Sequence, residues 1–253
     1  MKVVATIQAR MGSSRLPGKV LRELCGTPML VHQVNRLLRS RLIDDVVVAT
    51  TTNSADDVIA DLCALRGISV YRGSEQDVLG RVAAVVTAHK IDLHVECFGD
   101  SPLVDPQIVD EFLGYFLKHR DSLDGVSSTL ETTYPPGLEV LAYWGRVIVD
   151  VNGLVALDDP LREHAGFNIG RFPRAFRIES LRAPEEFHEP ELYLEVDTIE
   201  DFEVVAAVFE HFKARGSSFG LGEILGFLRA KPEIPDRNRA VERRWRALRE
   251  NDV

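Results

Sequence analysis

Short runs of branched apolar residues, each followed by a stretch with helical spacing, recur through the first hundred residues and restrict the fold more than any other feature. Residues 3–7 (VVATI) form such a run between polar flanks, as a strand buried on both faces of a parallel sheet does. Residues 45–50 (DVVVAT) repeat it. Between them Met29, Leu30, Val34, Leu37 and Leu38 share one helical face after Gly26-Thr27-Pro28, which completes a βαβ unit. Ser54-x-x-Asp57 reads as a capping box opening a helix to about Leu65, and Gly67 stops it before the strand-like residues 68–71. Ser74-x-x-Asp77 reads as a second box, leading through Val85 and Val86 to a strand over residues 93–97. Asp105 as cap, with Pro106 at the first helical position, predicts a helix to about Lys118. Regular alternation of this kind predicts an α/β fold, doubly wound on a mostly parallel central sheet.

The rhythm weakens over residues 125–190. This stretch holds Tyr134-Pro135-Pro136-Gly137, a strand-like run at 138–143, a short helix near 147–155 and the turn-rich 182–190. It reads as a β-rich lobe inserted beside the sheet. Residues 192–196 are expected to return to the main sheet as a strand, and Thr198-x-x-Asp201 opens a long helix. Val241, Trp245 and Leu248 lie on one face of a terminal helix expected over about 236–250. The 253 residues are read as one large α/β domain with that lobe inserted.

Hydrophobic residues at 45% and charged residues at 27% exclude disordered and collagen-like chains. Cys25, Cys63 and Cys97 are too widely spaced for a disulfide framework or a zinc site, so a reducing cytoplasm is expected. No apolar run has the length of a membrane span, and the first is too short for a signal peptide. A net charge of −9 argues against nucleic acid as a partner. Yet Lys2, Arg10, Arg15, Lys19 and Arg22 all precede the first carboxylate, Glu23. A local cationic loop in an acidic protein points to a small anion.

That loop is residues 8–19 (QARMGSSRLPGK), directly after the first strand, where open α/β sheets bind ligands. Gly12 lets the backbone approach a phosphate, Arg10 and Arg15 offer bidentate hydrogen bonds, and Lys19 adds a point charge. It is not a Walker A loop, since five residues separate Gly12 from Gly18 and Val20 follows Lys19; the dinucleotide fingerprint is absent as well. Asp100, in Gly99-Asp100-Ser101-Pro102, also follows a strand and can hold Mg²⁺ beside nucleotide phosphates, although these four residue types equally make a turn. Asp197 follows the strand expected at 192–196 and completes a possible carboxylate pair; helix-start electrostatics accounts for it equally well. Residues 72–81 (RGSEQDVLGR) can reach a base or ribose, or simply cap a helix. Seven histidines show no zinc spacing, and Arg162-Glu163-His164 alone reads as a surface turn.

Together these segments resemble the cytidylyltransferase superfamily that includes CMP-ketodeoxyoctonate synthetases and acylneuraminate cytidylyltransferases, and within it the spore coat polysaccharide biosynthesis protein F family. The resemblance runs in order through residues 8–19, 46–51 (VVVATT), 72–81, 99–106 (GDSPLVDP), 134–140 (YPPGLEV), 162–164 and 196–198. It implies a Rossmann-like nucleotidyltransferase fold, CTP as donor, Mg²⁺ as cofactor, and a homodimer built through the inserted lobe. It further implies that Arg10, Arg15, Lys19 and Asp100 act in catalysis. The nucleotide would lie against Gln8, Ala9, Arg10, Gly12, Ser13, Arg15, Lys19, Thr51, Arg72, Ser74, Asp77, Val78, Arg81 and Asp100. Asp100 and Asp197 would hold metal, and Tyr134, Glu139, Arg162 and His164 an anionic acceptor.

Two departures fall on the acceptor side. Where many members of this branch read G-L-D-V-E, this chain has Gly137-Leu138-Glu139-Val140-Leu141, and where an arginine or similar polar residue is expected it has His94-Val95-Glu96. The usual G-D-C-P is G-D-S-P. The expectation is a Mg²⁺-dependent cytidylyltransferase acting on a sugar acid, phosphate or phosphonate. The rivals are a nucleotidyltransferase or glycosyltransferase with another donor, and a nucleotide-binding protein of the same fold without turnover.

Overall fold

The computed structural model describes residues 1–243. Its first apolar run is β1 (Val3–Gln8), which has strands hydrogen-bonded on both sides. A hairpin of β2 (Glu23–Leu24) and β3 (Thr27–Pro28) turns where Cys25 and Gly26 hold positive φ, and it feeds α1 (Met29–Leu37). Next come β4 (Asp45–Thr51), α2 (Asp57–Arg66), β5 (Ser69–Gly73), α3 (Val78–His89), β6 (Leu93–Phe98) and α4 (Pro106–Lys118). The Asp105 side chain accepts from the Gln107 amide at 2.9 Å, so the expected cap of α4 is formed.

The two serine capping boxes are corrected. Asn53, not Ser54, caps a 3₁₀ turn at Ser54–Asp56 that delays α2 to Asp57. Asp77 is itself the cap of α3, accepting from the Gly80 amide at 2.8 Å, while Ser74 accepts from Asp77. In both cases the chain makes an extra turn first, so the serine lies outside the helix. Gly67, at φ 65°, ends α2 as expected.

Beyond α4 follow β7 (Gly125–Ser127), β8 (Leu141–Trp144), α5 (Gly145–Leu154), β9 (Ile178–Ser180), α6 (Ile199–His211) and α7 (Leu221–Ala230). The sheet order is β5-β4-β1-β6-β8-β7-β9. The first four strands are parallel, β8 runs antiparallel to β6, and β7 is antiparallel to β8 and parallel to β9. The lobe expected over 125–190 therefore has no separate β layer: its three short strands extend the main sheet because β8 satisfies the outer edge of β6. The rest of that stretch is α5, loops and short 3₁₀ turns.

Period-two alternation divides the core into two layers. Val3, Ala5, Ile7, Val46, Val48, Leu93 and Val95 meet α1, α4, α6 and α7 on one face. Val4, Val47, Ala49 and Tyr143 meet α3 and α5 on the other. Residues 192–196 form no strand, which corrects the sequence expectation. Their amides go to loop carbonyls instead: Leu194 to Pro136 and Val196 to Asp100, each at 2.8 Å. Gly137 makes this contact possible, for its φ is 101° and a Cβ there would stand 2.5 Å from the Glu195 nitrogen. The helix expected over 236–250 is corrected in its described part, where a 3₁₀ turn at Pro235–Arg237 is followed by turns and irregular chain to residue 243; the remainder lies outside the described residues.

Candidate active site

After β1 the chain winds to one side of the sheet through β4 and β5, then crosses to the other side for β6. The carboxyl ends of β1 and β6 therefore border the crevice in which such sheets bind ligands. The cationic loop leaves β1 there and Gly99-Asp100 leaves β6. Gly99 allows the two to touch: its amide donates to the Gln8 carbonyl at 2.9 Å, and a Cβ would meet that same oxygen at 2.9 Å.

The loop is held from below. The amides of Ser13 and Gly18 both donate to the Met11 carbonyl, at 2.9 and 3.0 Å, and Leu16 and Val20 are buried as roots. Ser13 accepts from the Leu16 amide at 3.3 Å. The Met11 amide donates to Asp56 Oδ1 at 2.7 Å, and the Thr51 hydroxyl donates to the other oxygen of this buried carboxylate. Asp56 is a residue that sequence reasoning missed, because the serine two places earlier drew attention to Asp57 as a cap. Its burial depends on the 3₁₀ turn, which no local pattern announced.

At the mouth of the crevice four expected residues converge. Lys19 Nζ lies 2.9 Å from Asp197 Oδ1, 3.3 Å from Asp100 Oδ2 and 2.8 Å from the Val196 carbonyl. Arg15 Nη2 lies 2.5 Å from Asp197 Oδ2. Burial alone would lower the Lys19 pKa, but the charges of Asp100 and Asp197 and their hydrogen bonds outweigh it and hold the pKa above its ordinary value. An ammonium thus occupies a point between two carboxylates, the place a divalent cation would take. Two aspartates of this kind, completed by phosphate and water oxygens, fit Mg²⁺.

Arg10 is exposed and makes no ion pair with any described residue. The pKa of the buried Arg81 is lowered first by desolvation and then by the Arg10 charge, against the opposing charges of Asp56, Asp77 and Glu75. Gly12 is exposed, with open space beside it up to Glu75 Oε1 at 3.7 Å from a built Cβ, and Gln8 donates its amide to Glu96 at 2.8 Å. Ala9 is buried and continues the ladder to Ala49.

Other expected residues are engaged within the fold. Arg72 reaches back to the Thr51 and Asn53 carbonyls at 2.8 and 3.0 Å and pairs with Asp57. The Ser74 carbonyl accepts from Arg81, and Val78 is buried as the first residue of α3. On the acceptor side the surface-turn reading of Arg162 is corrected. Arg162 is 3% exposed and is no surface turn: it donates to both oxygens of Asp77, at 2.9 and 3.0 Å, and to the Val155 carbonyl at 2.9 Å. Tyr134 is 2% exposed and packs on Phe112 in the core. Glu139 accepts from the Gly137 amide at 2.6 Å, shaping the tight turn, while His164 stays exposed with its ring 6.5 Å from that of Phe167.

The departures meet across one ladder. Leu141 on β8 is the register partner of Glu96 on β6. Glu96 is buried and accepts from Tyr143 Oη at 2.5 Å, from the Gln8 amide and from the Gly166 amide at 3.2 Å. Burial raises its pKa against the effect of these three donors. Among the described residues no helix is long and apolar enough to cross a membrane.

Comparison with known proteins agrees with this geometry. The cytidylyltransferase family model matches residues 4–138. Spore coat polysaccharide biosynthesis protein SpsF of Bacillus subtilis (strain 168) is 33% identical over 235 residues, 91% of this chain and 95% of the relative. A cytidylyltransferase from Leptospira borgpetersenii serovar Hardjo-bovis (strain JB197) superposes with a TM-score of 0.87 at 28% identity, covering 96% of this chain and all of that one. CMP:2-keto-3-deoxy-manno-octonic acid synthetase complexed with CTP shares the fold, with a TM-score of 0.61 at 19% identity over 83% of this chain and 99% of its own.

Proposed function

The chain belongs to the cytidylyltransferase family and is a nucleotidyltransferase drawing on CTP; from that premise we propose that it works with Mg²⁺ and transfers CMP to a sugar acid, phosphate or phosphonate. The acceptor oxygen forms a bond to the α-phosphorus, the bond from that phosphorus to the pyrophosphate oxygen breaks, and the acceptor's proton passes to solvent. The observation that carries this reading is the cluster of Arg15, Lys19, Asp100 and Asp197, where the loops after β1 and β6 meet the segment before α6.

Without nucleotide the two cations neutralise the two aspartates. When CTP enters, Lys19 and Arg15 turn to the β- and γ-phosphates and stabilise the charge that gathers on the leaving pyrophosphate. Asp100 and Asp197 would then hold Mg²⁺, which supplies charge neutralisation at the phosphate oxygens. Arg10 adds a third cation, and the loop amides around Gly12 approach the phosphates without side-chain obstruction. These residues act by positioning and electrostatics, with no covalent enzyme intermediate.

With Arg162 committed to Asp77, support for an anionic acceptor rests on the exposed His164. The name of the Bacillus relative supports a place in polysaccharide biosynthesis. A homodimer is supported by exposed Leu154 and Leu157 in the 125–190 stretch, and light scattering reads it directly.

The experiment is pyrophosphate release, with each of the four nucleoside triphosphates and Mg²⁺, against a panel of sugar acids, phosphates, phosphonates and neutral sugars. CTP with one of the anions should give turnover that chelation abolishes. Turnover indifferent to chelator would remove Mg²⁺ from the reading, and preference for a neutral sugar would remove the anionic acceptor.

A further inference from the structure

The last described residues lie against the segment that carries Asp197. Asp201, in the first turn of α6, is fully buried and uses its two oxygens separately. Oδ2 accepts from the backbone amides of Asp197 and Thr198, at 3.0 and 2.9 Å. Oδ1 accepts from Asn238 Nδ2 and from Arg243 Nη2, both at 2.8 Å. Arg243 is itself buried, with its guanidinium carbon 4.0 Å from the ring centroid of Tyr193 and Nη2 also donating to the Asn238 carbonyl at 3.1 Å. Asn238 in turn donates to the Tyr193 carbonyl at 3.0 Å.

A helix cap needs only the Oδ2 side of Asp201, which the Thr198 capping box already employs. The Oδ1 side adds something else. It joins a carboxylate that grips the Asp197 backbone to a guanidinium contributed from forty residues further along the chain. The neighbouring residue completes the link, since the Glu242 carbonyl accepts from Arg15 Nη1 at 3.1 Å while Arg15 Nη2 holds the Asp197 carboxylate. Asp197 is therefore fixed at both its backbone and its side chain by contacts that depend on residues 242 and 243.

We propose that Arg243 is a positioning residue for the metal-side carboxylate of Asp197, acting through the buried Asp201. The buried Arg243 guanidinium is itself fixed by its stacking on Tyr193, and its Nη2 donates to both Asp201 Oδ1 and the Asn238 carbonyl, so it holds Asp201 in one rotamer with its other oxygen on the two amides. Without Arg243 the Asp201 charge lies buried with only neutral amide and hydroxyl donors; the 197–201 turn then opens to admit water, and Asp197 loses its fixed place beside Asp100. Outer-shell partners of metal ligands set affinity in this manner. The inference rests on the proposal that Asp197 binds the metal.

The test uses the full chain and Mn²⁺ as probe, with free Mn²⁺ measured by electron paramagnetic resonance in the presence of CTP, together with kcat and KM for CTP. Arg243→Ala should raise the Mn²⁺ dissociation constant by about tenfold and lower kcat, with KM for CTP changed less than about twofold. Ethylguanidinium added to this variant should restore Mn²⁺ affinity. The exposed neighbour change Arg239→Ala should leave every readout as in the wild type. Should Arg243→Ala fail to fold, Arg243→Lys carries the test, because it keeps the charge but loses the planar group that lies over Tyr193, and it should weaken Mn²⁺ binding in the same direction. Wild-type Mn²⁺ affinity in the folded variant would overturn the positioning role. Absence of Mn²⁺ binding by the wild-type chain with CTP would instead sink the metal reading beneath it.

Discussion

His94 makes the stability of this protein sensitive to acid in a calculable way. It stands on β6 with its ring fully buried, Nε2 2.7 Å from the Thr6 hydroxyl, its edge on Tyr143 and Nδ1 without a hydrogen-bond partner. Burial takes its pKa from 6.5 down to about 3. Below 6.5 the unfolded chain binds a proton that the folded chain refuses until about 3, so stability falls as pH falls through that window. Integrating between about pH 7 and about pH 5 gives a loss of about 2 kcal/mol from this one group. Glu96 has the opposite sign. Burial raises its pKa, so its contribution is fully present below the unfolded value and is lost as pH rises through the folded one. The total curve therefore mixes both, and a difference between proteins isolates His94. In His94→Gln an amide can still reach Thr6 but does not titrate. Urea unfolding of both proteins at the two pH values should show the wild type losing about 2 kcal/mol more than the variant. Equal losses would mean that the native protein admits the proton, through water or through the unpartnered Nδ1, and the burial reasoning would fail.

Arg162→Met should lower stability by roughly 2–4 kcal/mol, because it strips a buried carbonyl and a carboxylate of their donor, the figure being discounted for the partial exposure of Asp77. Thermal unfolding measures that loss, and turnover below the melting range should stay within a few-fold of wild type; a selective rise in acceptor KM would restore Arg162 to the pocket. Lys19→Met should reduce kcat/KM for CTP by about 10²-fold, as loss of one preorganised donor to the leaving group does, and stopped-flow pyrophosphate detection reads it. Asp100→Ala and Asp197→Ala should each raise the Mg²⁺ concentration needed for half-maximal rate, and the double variant should fall well short of the sum of the two losses because both residues serve one ion. Strict additivity would place them on different ligands.

How far the site can be read without coordinates depends on the range of the interaction that makes each part. The strands β1, β4, β5 and β6, α4 with its Asp105 cap and the Gly67 stop follow from periodicity and from hydrogen bonds between near neighbours, so a sequence carries them openly. Arg15, Lys19, Asp100 and Asp197 were legible for the same reason: each sits at a strand end or helix start marked by its own local pattern. The distances between them, and the fact that the cations and carboxylates neutralise one another, came only from the folding of residues 15–19 against 196–201. Arg162 shows the limit most clearly. Alone it resembles a surface charge, yet its partner Asp77 lies 85 residues away and the pair is desolvated only when α5 packs on α3. Asp56, Glu96 opposite Leu141, and Arg243 beneath Asp201 belong to the same group. A buried polar group is stable only with its partners present, and those partners come from distant parts of the chain. Local chemistry thus determined which elements form and which loop meets the phosphates, while tertiary packing decided which charges remain available to a ligand.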